Sequence, residues 1–226
     1  MATAGIKTAA AEGSVRQRLL EGAAELFTQK GYAATTVREI VASAGVTKPA
    51  LYYYFQSKEG IYLELMREAF AKLDALLDAS LEEKGSATEK LLRLSDRAFS
   101  LLLENIKVVR VMYAIYYGPH QGAPFFDFDA YHLKFQQAIR LLVDEGIRRG
   151  EFRRENAEGM AWAIMGAINV AMEVHLGHSE MAIGREGLAR ILKLIFQGIS
   201  AGKARPTTVS PKPAWRKLSE SSRGTK

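Results

Sequence analysis

The chain has 226 residues, 48% of them apolar and none of them cysteine, which is enough apolar side chain for a buried core and excludes a disulfide framework or a thiolate metal site. The formal charge of +6 is concentrated at one end: residues 203–226 hold seven Lys or Arg against one Glu, while residues 61–202 hold seventeen against nineteen acids. A basic balance placed this way excludes net charge as an argument for nucleic-acid binding by the body of the chain.

Residues 1–13 are small and polar and have no apolar run of the secretory kind, so a disordered arm is expected there. Ser14 suits an N-cap, and Val15, Leu19, Ala23, Leu26 and Phe27 then recur as one helical stripe. Gly31, after Lys30, is the stop. Thr36 with Glu39 three residues on forms a capping box for a second helix, whose Val37, Ile40 and Val41 face inward. Ala44-Gly45-Val46 makes a turn. Thr47 caps a third helix with Pro49 in its first turn, where a missing N–H costs little. Ser57 caps a fourth, over residues 58–83.

Further helices are predicted near 87–105, 106–117, 127–149, 156–177 and 184–202. The breaks are Gly85-Ser86, a bend at Asn105, the loop 118–124, Gly150 and Gly177. No segment alternates as a strand would. The longest uncharged apolar stretch in a helix, 159–172, falls short of the ~20 residues that span a bilayer. Residues 203–226 carry three prolines and few apolar side chains and read as a basic disordered tail. The expected fold is all-α, of about nine helices: a three-helix unit over 14–60 and a larger helical domain over 61–202. The expected setting is a soluble, cytoplasmic protein with no membrane partner.

Residues 35–60 have the layout of a helix-turn-helix, in which one helix buttresses a second that enters the major groove by its N-terminal end. Ile40, Val41, Val46 and Leu51 would lock the pair. Thr36 and Thr47 stand at helix starts, where free N–H groups and the helix dipole attract phosphate. Lys48 can donate to guanine O6 and N7, worth ~1–3 kcal/mol of discrimination. Ala50 is small enough to pack on a thymine methyl. Tyr52 and Tyr53 can offer hydroxyls to phosphates, and Lys58 a further cation. By spacing alone the same residues also suit an ordinary helix pair with a tyrosine-rich core.

A set of residues at fixed spacing decides more. Leu26-Phe27, Gly31-Tyr32, Thr35-Thr36-Val37-Arg38-Glu39-Ile40, Ala44-Gly45-Val46, Leu51-Tyr52, Tyr54-Phe55 and Ser57-Lys58-Glu59 resemble the N-terminal domain of the TetR/AcrR family of bacterial transcriptional regulators. The resemblance covers residues 14–60. It implies a homodimer on a double-stranded DNA operator, with recognition helices in successive major grooves, and a C-terminal domain that binds an effector. It also puts Thr36, Thr47, Lys48, Pro49, Tyr52, Tyr53 and Lys58 at DNA-contacting places. Two positions depart from the family pattern. Pro49 stands where many members have Gly, which stiffens the helix start. Gly60 replaces a longer side chain, which leaves the start of the fourth helix less supported.

The larger domain is less explicit. Along the helix from Asn156, Gly159, Ala163, Gly166, Ala167 and Val170 share a small face, and Trp162, Met165, Asn169 and Met172 a large one. The expectation is that Ala163, Gly166, Ala167 and Val170 meet Leu188, Ile191, Leu192 and Ile195 of the last helix at a dimer seam, which the resemblance makes a four-helix bundle. Phe99, Leu103, Met112, Tyr113, Tyr116, Phe135, Trp162, Met165, Asn169 and Met172 are the candidate lining of a pocket for a hydrophobic or aromatic effector. Each of them alone suits plain core equally well. His175 and His178 are three apart, and His120 or His132 could join them, but no spacing demands a metal. No cofactor is expected, and no nucleophile–base, P-loop or dinucleotide motif points to an enzyme. The expectation that follows from the resemblance is a repressor that a ligand releases from DNA, the helix from Lys58 carrying the motion. Its rivals are an architectural or activating DNA-binding protein without an inducer, and an enzyme or carrier built on the helical domain.

Overall fold

Cap chemistry sets most helix boundaries. The computed structural model describes residues 3–119 and 121–201, with side-chain surroundings from Val15 onward. Among these residues the chain forms α1 Thr3–Ala34, α2 Val37–Ala44, α3 Lys48–Phe55, α4 Lys58–Glu82, α5 Ala87–Glu104, α6 Ile106–Tyr116, α7 Phe128–Arg148, α8 Ala157–Gly177 and α9 Gly184–Ile199. The Thr36 hydroxyl accepts from the Glu39 N–H at 3.3 Å, and Glu39 Oε2 accepts from the Thr36 N–H at 2.9 Å. Ser57 Oγ accepts from the Gly60 N–H at 3.1 Å, so the start of α4 is supported after all. Ser86 and Glu89 build a second capping box at the start of α5. Gly31 breaks the α1 ladder at φ 82, ψ 162, at the predicted stop.

Three local features differ from the sequence reading. α1 begins at Thr3 rather than at Ser14, reaching into the segment read as an arm; its alanines have the highest helix propensity. Thr47 makes no side-chain cap bond, so α3 starts on Pro49 geometry instead. A 3-10 turn, Ser179–Met181, and a single antiparallel bridge, Phe152 with Ser200, stand between and beside the last helices. That bridge is sewn by Arg153 N–H to Ile199 O at 2.9 Å and Ala201 N–H to Glu151 O at 3.0 Å. The tail 203–226 and His120 lie outside the described residues.

Two apolar clusters hold the helices. The first gathers Leu19, Phe27, Ile40, Leu51 and Phe55 of α1–α3 around Ile61, Tyr62, Leu65 and Met66 of α4, with Val111 of α6 closing it. The second packs Leu91, Leu94 and Phe99 of α5 against Ile139 and Leu142 of α7, Ile164 and Ile168 of α8, and Leu188, Leu192 and Phe196 of α9. Each large side chain buried in this way contributes ~1.5–3 kcal/mol. α4 runs through both clusters, since Leu77 belongs to the second. Lys90, only 6% exposed, pins three elements: its ammonium donates to Glu145 Oε2 at 2.9 Å and to Leu81 O at 3.3 Å.

α8 is long and apolar enough to cross a membrane by length and composition, beyond what its uncharged stretch alone implied. In this fold one side of it is core, through Met160, Ala161, Ile164, Met165, Ile168 and Ala171.

Candidate DNA-reading head and effector pocket

The head is built from the turn outward. Gly45 adopts φ 63, ψ 41, where a Cβ is unfavourable, and its N–H reaches Ala42 O at 3.2 Å. Val46 N–H donates to Val41 O at 3.0 Å, which folds α3 back across α2. Ile40 and Leu51 are fully buried between them. The opposite side of the pair is open. Thr36, Thr47, Lys48 and Pro49 are exposed and Ala50 is half-buried. Tyr52 is 50% and Tyr53 75% exposed, the latter edge-on to Tyr54 at 5.0 Å. Large amphipathic rings left in water on one face fit a contact surface better than a core.

Lys58 requires a correction. Read as a phosphate ligand, its ammonium instead donates to Tyr32 O at 2.9 Å and Thr35 O at 3.0 Å and lies 4.1 Å from the Tyr32 ring centre. It closes the carbonyl end of the α1–α2 junction, where free C=O groups attract a cation. Tyr32 in turn donates its hydroxyl to Glu59 Oε1 at 3.2 Å. Arg16 of α1 donates to Glu64 Oε1 at 2.5 Å and is paired with Glu68 at 2.6 Å, so α1 and α4 are tied along their length. The bond to Glu68 is the main cause that raises the Arg16 pKa.

Between α4, α5, α6, α7 and α8 lies a cavity of about 180 Å³. Seven predicted residues line it: Met112, Tyr113, Tyr116, Phe135, Met165, Asn169 and Met172. Three do not. Phe99 is core, edge-on to His175 at 5.6 Å, and Leu103 packs against the second cluster. Trp162 is 51% exposed on the outer side of α8, its indole N–H on Glu158 Oε1 at 2.9 Å. The wheel explains this: Trp162, Gly166 and Val170 repeat at i, i+4 and i+8, whereas Met165, Asn169 and Met172 repeat on the neighbouring face.

The sequence reading missed the α4 wall (Ala69, Phe70, Leu73), Val108 and Val109 of α6, and Phe128, Tyr131 and His132 of α7. A signal was present in the aromatic run 125–131 at the start of the helix predicted near 127–149, whose pocket role shows only when Phe70 is brought to 4.2 Å from Tyr131 and 5.3 Å from Phe126. Burial first, then the charge of Glu173, pushes the Tyr113 phenol up to about 12. The Tyr116 hydroxyl donates to Asp129, which raises its pKa. Asn105 is spent within the protein: its Oδ1 accepts from Lys72 at 3.1 Å and its Nδ2 donates to Leu101 O at 2.8 Å.

The predicted seam divides. Ala163, Val170 and Ile191 are exposed and Gly166 half-buried, beside an exposed Leu194. Ala167 and Ile195 pack partly on the second cluster. Leu188 and Leu192, at 1% and 0% exposure, belong to the interior of the protomer and are corrected out of the seam. α9 is amphipathic, and these two lie on its inward stripe. Among the described residues no three metal-ligating side chains come together: His175 packs on Phe99 and His178 faces Glu180 at 3.6 Å.

Residues 19–65 match the family of bacterial regulatory proteins described as the tetR family. The HTH-type transcriptional repressor KstR2 of Mycolicibacterium smegmatis is 33% identical over 141 residues, which spans 62% of this chain and 68% of that protein. The chain belongs to the TetR family. This TetR-family member is a DNA-binding transcriptional regulator. It is also 43% identical over 74 residues to the HTH-type transcriptional regulator YdgC of Bacillus subtilis, a match that spans only 38% of YdgC. Its fold superimposes on that of the TetR-family regulator PfmR from Thermus thermophilus with a TM-score of 0.65, at 27% identity over 80% of this chain and 97% of PfmR.

Proposed function

We propose that the protein is a homodimeric repressor released from its operator by a small, largely apolar effector held in the α4–α8 cavity. One observation carries this reading: α4 serves both sites. Its first residue, Lys58, clamps the carbonyls that close the α1–α2 junction, and its Ala69, Phe70 and Leu73 wall the cavity. A ligand that fits better when those walls spread must move the helix on which the head is mounted. Binding then favours a spacing of the two heads unlike the ~34–36 Å of successive major grooves, and the DNA-bound population falls. The repressor sense is supported by the name of KstR2. The DNA-facing set is Thr36, Thr47, Lys48, Pro49, Ala50, Tyr52 and Tyr53, on the exposed side of α2 and α3.

The test is fluorescence anisotropy on an operator fragment selected from random DNA. A lipophilic compound that binds the protein by calorimetry is expected to release the fragment at the same concentrations. A compound that fills the cavity and leaves operator affinity unchanged would remove the release step.

A further inference from the structure

We propose that the cavity selects a lipophilic monocation, of the aromatic quaternary ammonium class, over acids and neutral molecules of the same shape. The inference rests on the reading of this cavity as an effector site and goes further by assigning the charge of the ligand. Three observations carry it.

The first is the wall itself. Phe70, Tyr113, Tyr116, Tyr117, Phe128 and Tyr131 converge on one cavity. Aromatic rings present negative faces, which attract a cation lying over them. Tyr116 is edge-on to Tyr117 at 4.7 Å and to Phe128 at 5.8 Å, while Tyr131 packs 4.2 Å from Phe70 and stacks on Phe126 at 5.7 Å.

The second is the charge inventory. Glu173 lines the cavity, and no base among the described residues forms an ion pair with it. It stands exposed at the rim, and after burial its charge is the next cause that raises the Tyr113 phenol. Asp129, held by the hydroxyl of Tyr116, adds a second negative charge nearby. Among the described lining residues there is no lysine or arginine, and the one nitrogen base is His132. Lys72 comes to the wall, but its ammonium is engaged on Asn105 Oδ1. An anion would meet Glu173 with no dedicated counter-charge.

The third is the scarcity of hydrogen-bonding groups. Asn105 has both ends of its amide occupied, which leaves Asn169, His132, the Glu173 carboxylate and the phenols as polar contacts on a mainly apolar wall. A primary ammonium would surrender water bonds here and find few replacements. A quaternary ammonium has no N–H to satisfy, spreads its charge over methyl groups, and loses less on leaving water. The cavity therefore suits a charge without donors.

Three probes of one shape separate the classes: benzyltrimethylammonium, neutral dimethyl benzyl carbinol and anionic phenylmethanesulfonate, each titrated calorimetrically into the full chain. The cation is expected to bind at least about ten-fold more tightly than the anion. Glu173→Gln is expected to weaken the cation by about ten-fold, leave the carbinol unchanged and narrow the gap to the anion. Binding of the carbinol or the anion as tight as that of the cation overturns the charge assignment and leaves the effector cavity standing. An equal loss of all three probes in Glu173→Gln also overturns it. Binding of none overturns both this inference and the reading beneath it. The comparison among probes on the unsubstituted protein stands even if the variant misfolds.

Discussion

Two lysines on either side of α3 do opposite work. Lys48 is exposed at the start of the recognition helix, while Lys58 is folded onto Tyr32 O and Thr35 O. Lys58→Gln should therefore lower stability by ~1–3 kcal/mol, because two carbonyls lose a charged donor. Thermal denaturation checks this. The salt dependence of operator binding should keep its slope; a slope shallower by about 0.9 would place the ammonium on a phosphate instead. Lys48→Gln should do the reverse: an unchanged melting temperature, and ~1–3 kcal/mol lost between the selected operator and one altered at a single guanine. Sequence spacing led to Lys48, Tyr52 and Tyr53 because short helices expose a fixed set of positions. It could not reveal the role of Lys58, whose partners are backbone carbonyls at the earlier α1–α2 junction and leave no residue-type signature. The same limit explains the cavity. Met165, Asn169 and Met172 were legible as one face of one helix, whereas Phe70 and Tyr131 become neighbours only through the packing of α4 on α7.

The junction between α1 and α2 depends on a few caps. The Glu39 carboxyl is held down at about 2, chiefly by the bond from Lys30 and then by the Thr36 hydroxyl and N–H. A carboxyl whose pKa is lower in the folded chain than its ordinary 4.5 stabilises the fold above that value. The contribution fades as the pH falls from there toward about 2. Glu39→Gln should thus be less stable than the parent near neutrality, and the two acid-unfolding curves should converge toward the acid end, as followed by far-UV circular dichroism. Gly31 is the second support. Its φ of 82 with ψ of 162 is nearly closed to other residues, and an added Cβ would lie 2.8 Å from Gln121 Oε1. Gly31→Ala should cost roughly 1–3 kcal/mol in chemical denaturation. Adding Gln121→Ala should not restore that, since it removes the contact but leaves the backbone strain and takes away the oxygen that accepts from the Tyr32 N–H at 2.9 Å. Helix ends of this kind were the most legible part of the fold, because capping residues announce them locally. The bridge between Phe152 and Ser200 was not, since it joins segments separated by two helices.

At the scale of the whole protein, α8 and α9 leave an apolar surface uncovered: Trp162 at 51%, Val170 at 58% and Leu194 at 67% exposure. A Cβ at Gly166, in the middle of it, meets nothing within 4 Å inside the protomer. Gly166→Leu should leave the helical content unchanged and shift sedimentation toward the monomer. A dimer that persists at the same concentration would move the seam elsewhere. Repressor activity should fall with the dimer, because one head alone holds half of the operator. The first apolar cluster takes Ile61, Tyr62, Leu65 and Met66 from α4 and Val111 from α6. A chimaera cut at residue 60, grafting this head onto another sensor, would therefore leave the graft without its own floor. A workable splice has to carry the first two turns of α4 and supply a valine-sized plug from the recipient, so the operator specificity of this protein is portable only together with a piece of its sensor.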